Sequence, residues 1–515
     1  MLILKGDKVK ELDRLAAEEW RIPAAVLMEN AGRSFVSCLK QELDSLPEPI
    51  VVVAGKGNNG GDGLVIARRL LDLGKEVTAI VLGKSSELNP QTERNFGTLK
   101  KMTGKVFCLD PKEGDRLARQ LQGAQILIDA LFGIGIEGPV RGSYRKVIEI
   151  INSSPATVVA VDLPSGLPAD TGQPAGHCVT ADLTITMGFL KRSNLLPPGP
   201  KYCGRTVVAE VGYPRNLIED QSNQPRLVEG NTLAGLLPER TPYSHKGDFG
   251  RVLIVGGSSG MTGAATLTVK SALRSGAGLV HAAVPLSLNG IFEVKLTEAL
   301  THPITDKSGA LSPDSLEDLL EAAEGKDAIA IGPGLSQRND MADLVTDFLE
   351  SIKVPVVIDA DGINALSAAG EELKLPPQSI MTPHPGELGR LLGMSPAEVD
   401  RKRFELAPEV ASDLDVTLIL KGIPTVISSP AGELWVANCP NSGLAKGGSG
   451  DVLTGLLVGL LAQGVSPLLA CRLSTWIHCR SGELASRELS TRSVLPGNLI
   501  EKISQAMGEL SNVER

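Results

Sequence analysis

The chain has 515 residues, 42% of them hydrophobic and 22% charged, and a formal net charge of −9. That length exceeds what a single core normally supports, so two or three domains are expected. The acidic balance, without any Lys/Arg run, disfavours nucleic acid and anionic membranes as partners, while leaving room for a small anion held by backbone N–H groups.

The opening residues, MLILKGDKVKELDRLAAEEW, turn charged after four positions and do not read as a signal peptide. Over 9–43, Leu12, Leu15 and Ala16, then Val26, Leu27, Ala31 and Phe35, recur at helical spacing, with Pro23 punctuating two helices. From residue 50, β-rich runs at 50–54, 77–82, 105–109, 126–129, 158–162, 183–187 and 206–211 alternate with helical segments. Continuous apolar strands in such alternation predict a mostly parallel, doubly wound sheet covered on both faces. Between 213 and 246 the pattern lapses into polar, Pro-containing sequence, which puts a linker near 215–230 and domains at 1–220 and 226–515. A second α/β series follows at 251–255, 279–284, 328–331, 356–359 and 380–382. The runs 416–420, 424–428 and 433–437 leave room only for turns and should be antiparallel. The most apolar stretch, 452–465, is shorter than the ~20 residues of a membrane span and reads as a buried helix.

Seven scattered cysteines form no C-x-x-C pair, and six histidines form no H-E-x-x-H. A reducing, cytoplasmic setting without a zinc site is expected.

Gly55-x-Gly57-x-x-Gly60 follows the first β-rich run with the spacing of a dinucleotide-binding turn. A Rossmann unit that holds NAD as cofactor usually ends its second strand in Asp or Glu; here VTAIVL runs into Gly83-Lys84. The loop continues Asn58-Asn59-Gly60-Gly61-Asp62-Gly63, more polar than a pyrophosphate turn needs; the bland reading of its glycines is tight strand–helix packing. Two further strand ends carry a carboxylate and a Gly-rich turn, Asp129 before Gly133-Ile134-Gly135 and Asp162 before Ser165-Gly166. A lone strand-end Asp is ordinarily a helix cap. Three such loops on the carboxyl edge of one parallel sheet converge where ligands bind.

Four stretches, LMENAG, GKGNNGGDG, DALFGIG and VDLPSG, together resemble the epimerase domain of the bifunctional NAD(P)H-hydrate repair enzymes. The resemblance implies a Rossmann-like domain whose dinucleotide is the substrate, hydrated NADH or NADPH (NADHX, NADPHX). It implies contacts from Asn58, Asn59, Gly60, Gly61 and Asp62, from Gly133, Ile134, Gly135, Ile136, Glu137, Gly138 and Pro139, and from Asp162. It also implies a potassium ion on Asn59, Asp129 and Ser165. The hydrate carries a hydroxyl on ring carbon 6, and its R and S forms interconvert if that C–O bond opens and recloses; Asp162 is the expected acid/base.

In the second half, Gly447-Gly448-Ser449-Gly450-Asp451 leads into a purely apolar helix. Unpaired N–H groups there would hold an anion. Asp451 opposes a bound phosphate unless it takes a proton; the bland reading is that it complements the helix dipole. This loop resembles the anion hole of the ribokinase-like fold. With it, SHKGDFGRVLIVGGSSGMTGAA, GPGLS, TPHPGE and LKGIPTVI resemble the NAD(P)H-hydrate dehydratases. His384-Pro-Gly-Glu387 stands where sugar kinases of that fold carry Asn-x-x-Glu near magnesium.

The second resemblance implies that Lys421, Gly422, Ile423, Pro424, Thr425 and Gly450 bind ADP with magnesium. Ala264, Gly334, His384 and Asp451 would bind the hydrate, with Asp451 as catalytic base. His384 is otherwise a turn residue between prolines, and Lys421 a surface lysine ending a strand. Small-molecule partners and a homo-oligomer are expected. The alternative is a ribokinase-like small-molecule kinase with an N-terminal dinucleotide-sensing domain.

Overall fold

The β-rich runs become strands of two large sheets in the computed structural model, which describes residues 1–136, 138–221, 223–370 and 373–511. The chain divides into two units, Met1–Gln224 and Pro225–Arg515.

The first unit contains β1 (Ile3–Leu4), β2 (Ile50–Ala54), β3 (Val77–Leu82), β4 (Val106–Leu109), β5 (Ile126–Ala130), β6 (Thr157–Val161), β7 (Leu183–Met187), β8 (Leu190–Lys191) and β9 (Arg205–Ala209). Seven of these form one sheet, in the order β4-β3-β2-β5-β6-β7-β9, parallel throughout. Side chains alternate across a strand. Val52, Ile128 and Val159 therefore enter one core while Val51, Val53, Leu127 and Val158 enter another on the opposite face. Burial on both faces is why these strands read as unbroken apolar runs. β1 and β8 form a separate parallel pair, with Leu4 opposite Lys191. Two-residue strands leave no periodic trace, and this pair was not foreseen.

Because the sheet is parallel, the carboxyl ends of β2, β5 and β6 lie side by side. The turn after β2 needs its glycines for close approach. A Cβ on Gly55 would run into the Leu131 carbonyl, and one on Gly60 into the Gly55 carbonyl.

The second unit contains β10 (Arg226–Leu227), β11 (Arg251–Val255), β12 (Leu279–Pro285), β13 (Leu300–Ile304), β14 (Ala328–Ile331), β15 (Val356–Ile358), β16 (Ile380–Met381), β17 (Thr417–Leu420), β18 (Thr425–Ser428) and β19 (Leu434–Ala437). They form one sheet, ordered β10-β19-β18-β17-β16-β15-β14-β11-β12-β13. β17, β18 and β19 pair antiparallel, as their short connections require; β11 to β17 pair parallel.

Two features differ from the sequence reading. β13 is an edge strand with Pro303 and mostly accessible positions, so it lacks the apolar run that marks its neighbours. The stretch read as linker is partly ordered: Arg215–Glu219 is helical, and Arg226–Leu227 pairs with β19. The apolar segment forms the helix Ser449–Ala462, nearly all of it buried. Gly455 and Gly459 bring it against the helix Thr262–Arg274, where a Cβ would strike the Thr268 carbonyl and Ser275 Oγ. Among the described residues no helix is long and apolar enough to cross a membrane.

Candidate active sites

In the first unit the strand ends border a cavity of about 500 Å³. Asn58, Asn59, Asp62, Gly133, Ile134, Gly135, Ile136 and Asp162 all line it. Gly60 and Gly61 shape the turn beneath, Gly61 against Met28. Gly138 and Pro139 are not on the lining; Pro139 packs on Gly176. Glu137 lies outside the described residues.

Of Asn59, Asp129 and Ser165, expected to share an ion, Asp129 and Ser165 are in direct contact, and Asn59 lies against the adjacent 131–133 turn. Ser165 Oγ donates to Asp129 Oδ1 at 2.6 Å, and Ser165 N to Oδ2 at 2.8 Å. The same Oγ accepts from Phe132 N at 2.8 Å. Asn59 packs on the neighbouring Gly133, where a Cβ would lie 3.2 Å from its Oδ1. Asp129 is fully buried, and burial pushes its carboxyl up to about 6 against the hydrogen bonds from Ser165 and Leu131. Asn59 Nδ2 is buried without a partner among the described residues. A buried carboxylate without a cationic partner among the described residues, bonded to a hydroxyl, suits a hard cation.

Asp162 ends β6 at φ 68°, a left-handed conformation that turns the backbone sharply at the cavity. Its Oδ1 accepts from Met187 N at 3.0 Å, from Thr186 Oγ1 at 3.2 Å and from Lys191 Nζ. Lys191 is fully buried and also donates to Thr186 Oγ1 at 2.9 Å and the Met187 carbonyl at 3.0 Å. All three ammonium protons are thereby used, and one carboxylate oxygen is fixed by three donors. Sequence reasoning missed Lys191. The small β1–β8 pair positions it, and nothing in its local spacing marks it.

In the second unit the site grows around Asp359, the residue after β15. Its Oδ1 accepts from Lys421 Nζ and Thr382 Oγ1, each at 2.7 Å, and its Oδ2 from Thr454 Oγ1 at 2.7 Å. Burial pushes this carboxyl up, but the Lys421 ammonium and the two hydroxyls outweigh it and hold it below its ordinary value. Lys421 is mostly buried, with Glu387 Oε2 at 3.8 Å as a second partner. It is not a surface lysine. A Cβ on Gly450 would sit 3.5 Å from Lys421 Nζ and 3.9 Å from Asp359 Oδ2, so the Gly-rich turn abuts this pair. One residue on, burial and then the Asp359 charge push Asp451 up to about 7, with Lys421 pulling the other way.

His384 caps the helix Pro385–Leu392. Its Nδ1 accepts from Gly386 N at 2.9 Å and Glu387 N at 3.2 Å, and Glu387 Oε2 accepts from His384 N at 2.7 Å. An Nδ1 that accepts requires the proton on Nε2, 3.3 Å from Glu387 Oε1. Burial, then Lys421 and Arg390, lower its basicity and keep the ring neutral.

Gly334 and Ala264 are neighbours: a Cβ on Gly334, at φ 65°, would lie 3.2 Å from Ala264 Cβ. Gly332 of the same turn presses on the Asp359 backbone. The 421–425 loop is held from behind by Arg403, buried, whose guanidinium donates to the Pro424 carbonyl and to Asp400 Oδ1 and fills the space over Gly422. Thr425 Oγ1 donates to the Gly422 carbonyl at 2.8 Å. Asp359 and Arg403 were not singled out in the sequence.

Known proteins match both units. The NAD(P)H-hydrate dehydratase family matches residues 252–505, and the family described as YjeF-related protein N-terminus matches residues 24–193. The bifunctional NAD(P)H-hydrate repair enzyme of Moorella thermoacetica is 40% identical over 519 residues, covering 99% of this chain and 97% of that protein. The one of Thermofilum pendens is 37% identical over 99% of this chain and 97% of that protein. Among solved structures, the ADP/ATP-dependent NAD(P)H-hydrate dehydratase of Bacillus subtilis, co-crystallised with ATP/Mg2+, is 32% identical with a TM-score of 0.50, covering 56% of this chain and 99% of that one.

Proposed function

The chain belongs to the family of bifunctional NAD(P)H-hydrate repair enzymes, and from that premise we propose how the residues of each unit carry out one half of the repair. The protein is an NAD(P)H-hydrate epimerase and an ADP-dependent NAD(P)H-hydrate dehydratase. The epimerase keeps the two hydrates in exchange, and the dehydratase consumes the S form.

In the first unit the cavity at the ends of β2, β5 and β6 takes the hydrate. Asn58 to Asp62 and the 133–136 turn line it, and Asp162 supplies acid/base chemistry at ring carbon 6. Lys191 holds the carboxylate in place by donating to one of its oxygens. Asn59, Asp129 and Ser165 would hold potassium, which when bound supplies positive charge beside the dinucleotide phosphates. Asp129→Asn tests this without any turnover. The wild-type protein should melt higher in potassium than in an equal concentration of choline salt, because an ion bound only by the native state stabilises it by about 2.7 kcal/mol at a hundredfold excess over Kd. The variant should lose that difference.

In the second unit the observation that carries the reading is Asp451, a half-buried carboxylate on the Gly-rich turn, next to the Asp359–Lys421 pair. Hydroxide is a poor leaving group, so the ring hydroxyl is first phosphorylated, and Asp451 takes its proton. Backbone N–H groups of the turn and Lys421 hold the ADP phosphates. The N1 lone pair then expels phosphate to give N1=C6, and loss of a proton from C5 forms C5=C6 and restores the dihydropyridine. The products are NAD(P)H, phosphate and AMP. Glu387, 3.8 Å from Lys421 Nζ, would hold a magnesium ion bound with ADP, which would supply positive charge to the phosphates.

The test is stoichiometry. AMP, phosphate and NADH should form in equal amounts from S hydrate and ADP. The pH dependence follows from Asp451. A base works only when deprotonated, and this carboxyl sits at about 7. Its kcat/KM for dehydration should therefore fall roughly tenfold per pH unit below that value and be level above it. A rate that stays level down to pH about 5 would remove Asp451 as the base.

A further inference from the structure

Epimerisation at one carbon sets a demand that a single acid/base does not meet. Opening the C6–O bond on one face of the ring needs a proton delivered to the departing hydroxyl. Closing it on the other face needs a proton removed from the incoming water. The R-to-S and S-to-R directions are the same path reversed, so each face needs its own group, acid in one direction and base in the other.

We propose that Asp62 is the second acid/base group of the epimerase site, working with Asp162; this rests on the reading that the first cavity holds the hydrated ring. Both carboxyls line that cavity. They reach it from different strands: Asp62 from the helix Asn58–Asp72 that follows β2, Asp162 from the end of β6, with β5 between. At ~4.8 Å per strand β2 and β6 stand roughly 10 Å apart, so the two side chains enter the cavity from opposite sides of β5.

Asp62 has no structural task that would explain it. It is the fifth residue of its helix, past the first turn, so it neither caps the end nor complements its free N–H groups. It makes no hydrogen bond or ion pair with any described residue. Asp13, also on the lining, differs: it accepts from Tyr213 Oη at 2.6 Å and is exposed.

The groups facing Asp62 are Asp162, Asp13, Tyr213 and Lys191, with Lys10, Tyr144 and the Glu87-paired Lys56 also on the cavity lining. Burial, then the Asp162 and Asp13 charges, push the Asp62 carboxyl well above its ordinary value, and Lys191, already engaged by Asp162, opposes this only in part. A carboxyl raised in this way is suited to give up a proton. Asp62 is the acid of the pair in the R-to-S direction, and Asp162, fixed by Lys191, is its partner base. In the step, Asp62 gives its proton to the C6 hydroxyl, the C–O bond breaks with formation of N1=C6, and water departs. Water then adds to C6 from the other face, C6–O forms, and the released proton passes to Asp162. The ring is unchanged in redox state, one water leaves and one enters, and exchange with solvent returns the proton from Asp162 to Asp62 before the next turnover.

The experiment measures R-to-S conversion by the full chain with ADP omitted, by chromatography of the two epimers in ¹⁸O water. The variants are Asp62→Asn and Asp162→Asn, with NADPH binding and melting temperature as controls. Wild-type protein should convert the epimers with one solvent oxygen incorporated per event and a bell-shaped pH profile. Asp62→Asn should bind NADPH as before, melt no lower, convert at least about 100-fold more slowly, and lose the high-pH limb of the profile. Conversion by Asp62→Asn within threefold of wild type, or a loss matched by an equal loss of NADPH binding, overturns the role of Asp62. Absence of conversion by wild-type protein would instead overturn the epimerase reading on which it rests.

Discussion

Asp451→Asn is expected to fold, to bind ADP, and to fail to regenerate NADH from the S hydrate, with turnover lower by roughly 10²–10⁴. Asparagine keeps the shape of the side chain and removes only its ability to take a proton. Asp451 begins an apolar helix, so it also has a structural reading, but loss of a helix-terminal charge costs only about 0.3–1 kcal/mol. Here the sign is the opposite of a loss. A carboxyl whose folded value is raised to about 7 stabilises the fold least where it is ionised. Any stability it contributes is present below its unfolded value and is lost as pH rises through 7. At pH about 8 the asparagine variant should therefore melt at or above the wild-type temperature. Thermal melts, ADP titration and NADH recovery, taken together, check this. Near-normal recovery would return Asp451 to a capping role.

Asp162→Ala should abolish R-to-S conversion, by roughly 10²–10⁴ in rate, while dehydration of supplied S hydrate continues. It should also destabilise the first unit. Lys191 is fully buried and loses one of three acceptors, and a buried ion pair broken on one side costs about 3–5 kcal/mol. Asp162→Asn separates the two effects, since its amide oxygen still accepts from Met187 N and Lys191. It should melt between wild type and Asp162→Ala, because it keeps the hydrogen bonds but not the counter-charge of Lys191, and remain unable to epimerise. Lys191→Met should give a third pattern. Asp162 keeps its Met187 and Thr186 donors but loses its counter-charge, so conversion should slow and its pH profile should shift, while binding of NADPH persists. Wild-type epimerisation by Asp162→Ala would exclude the assigned role.

What the sequence could reveal here follows from the range of each signal. Strands buried on both faces write themselves as unbroken apolar runs, which is why β2, β3, β7, β11 and β14 begin and end where the runs do. The antiparallel β17–β19 meander was legible because its connections are too short for crossovers. Parallel strands put their ends on one edge, so Asp129 and Asp162 could be read as neighbours although 33 residues separate them. The same rule applied to the VVIDADG stretch would have found Asp359. What stayed hidden depends on pairings with no periodic trace. Lys191 reaches Asp162 because two residues at the N-terminus pair with Leu190 and Lys191. Arg403 supports the 421–425 loop from a helix of its own, Arg403–Asp413. The cap role of His384 depends on which nitrogen accepts, a matter of local geometry that a motif does not encode.

The central claim, that one chain repairs both epimers of a hydrated dinucleotide, is tested most directly by incubating the full chain with mixed-epimer hydrated NADH, with and without ADP, and following near-ultraviolet absorbance. With ADP and magnesium, the whole pool, R hydrate included, should return to NADH faster than the hydrates interconvert unaided, and without ADP none should. A stable phosphorylated product accumulating without NADH would contradict the repair activity and point to a small-molecule kinase instead.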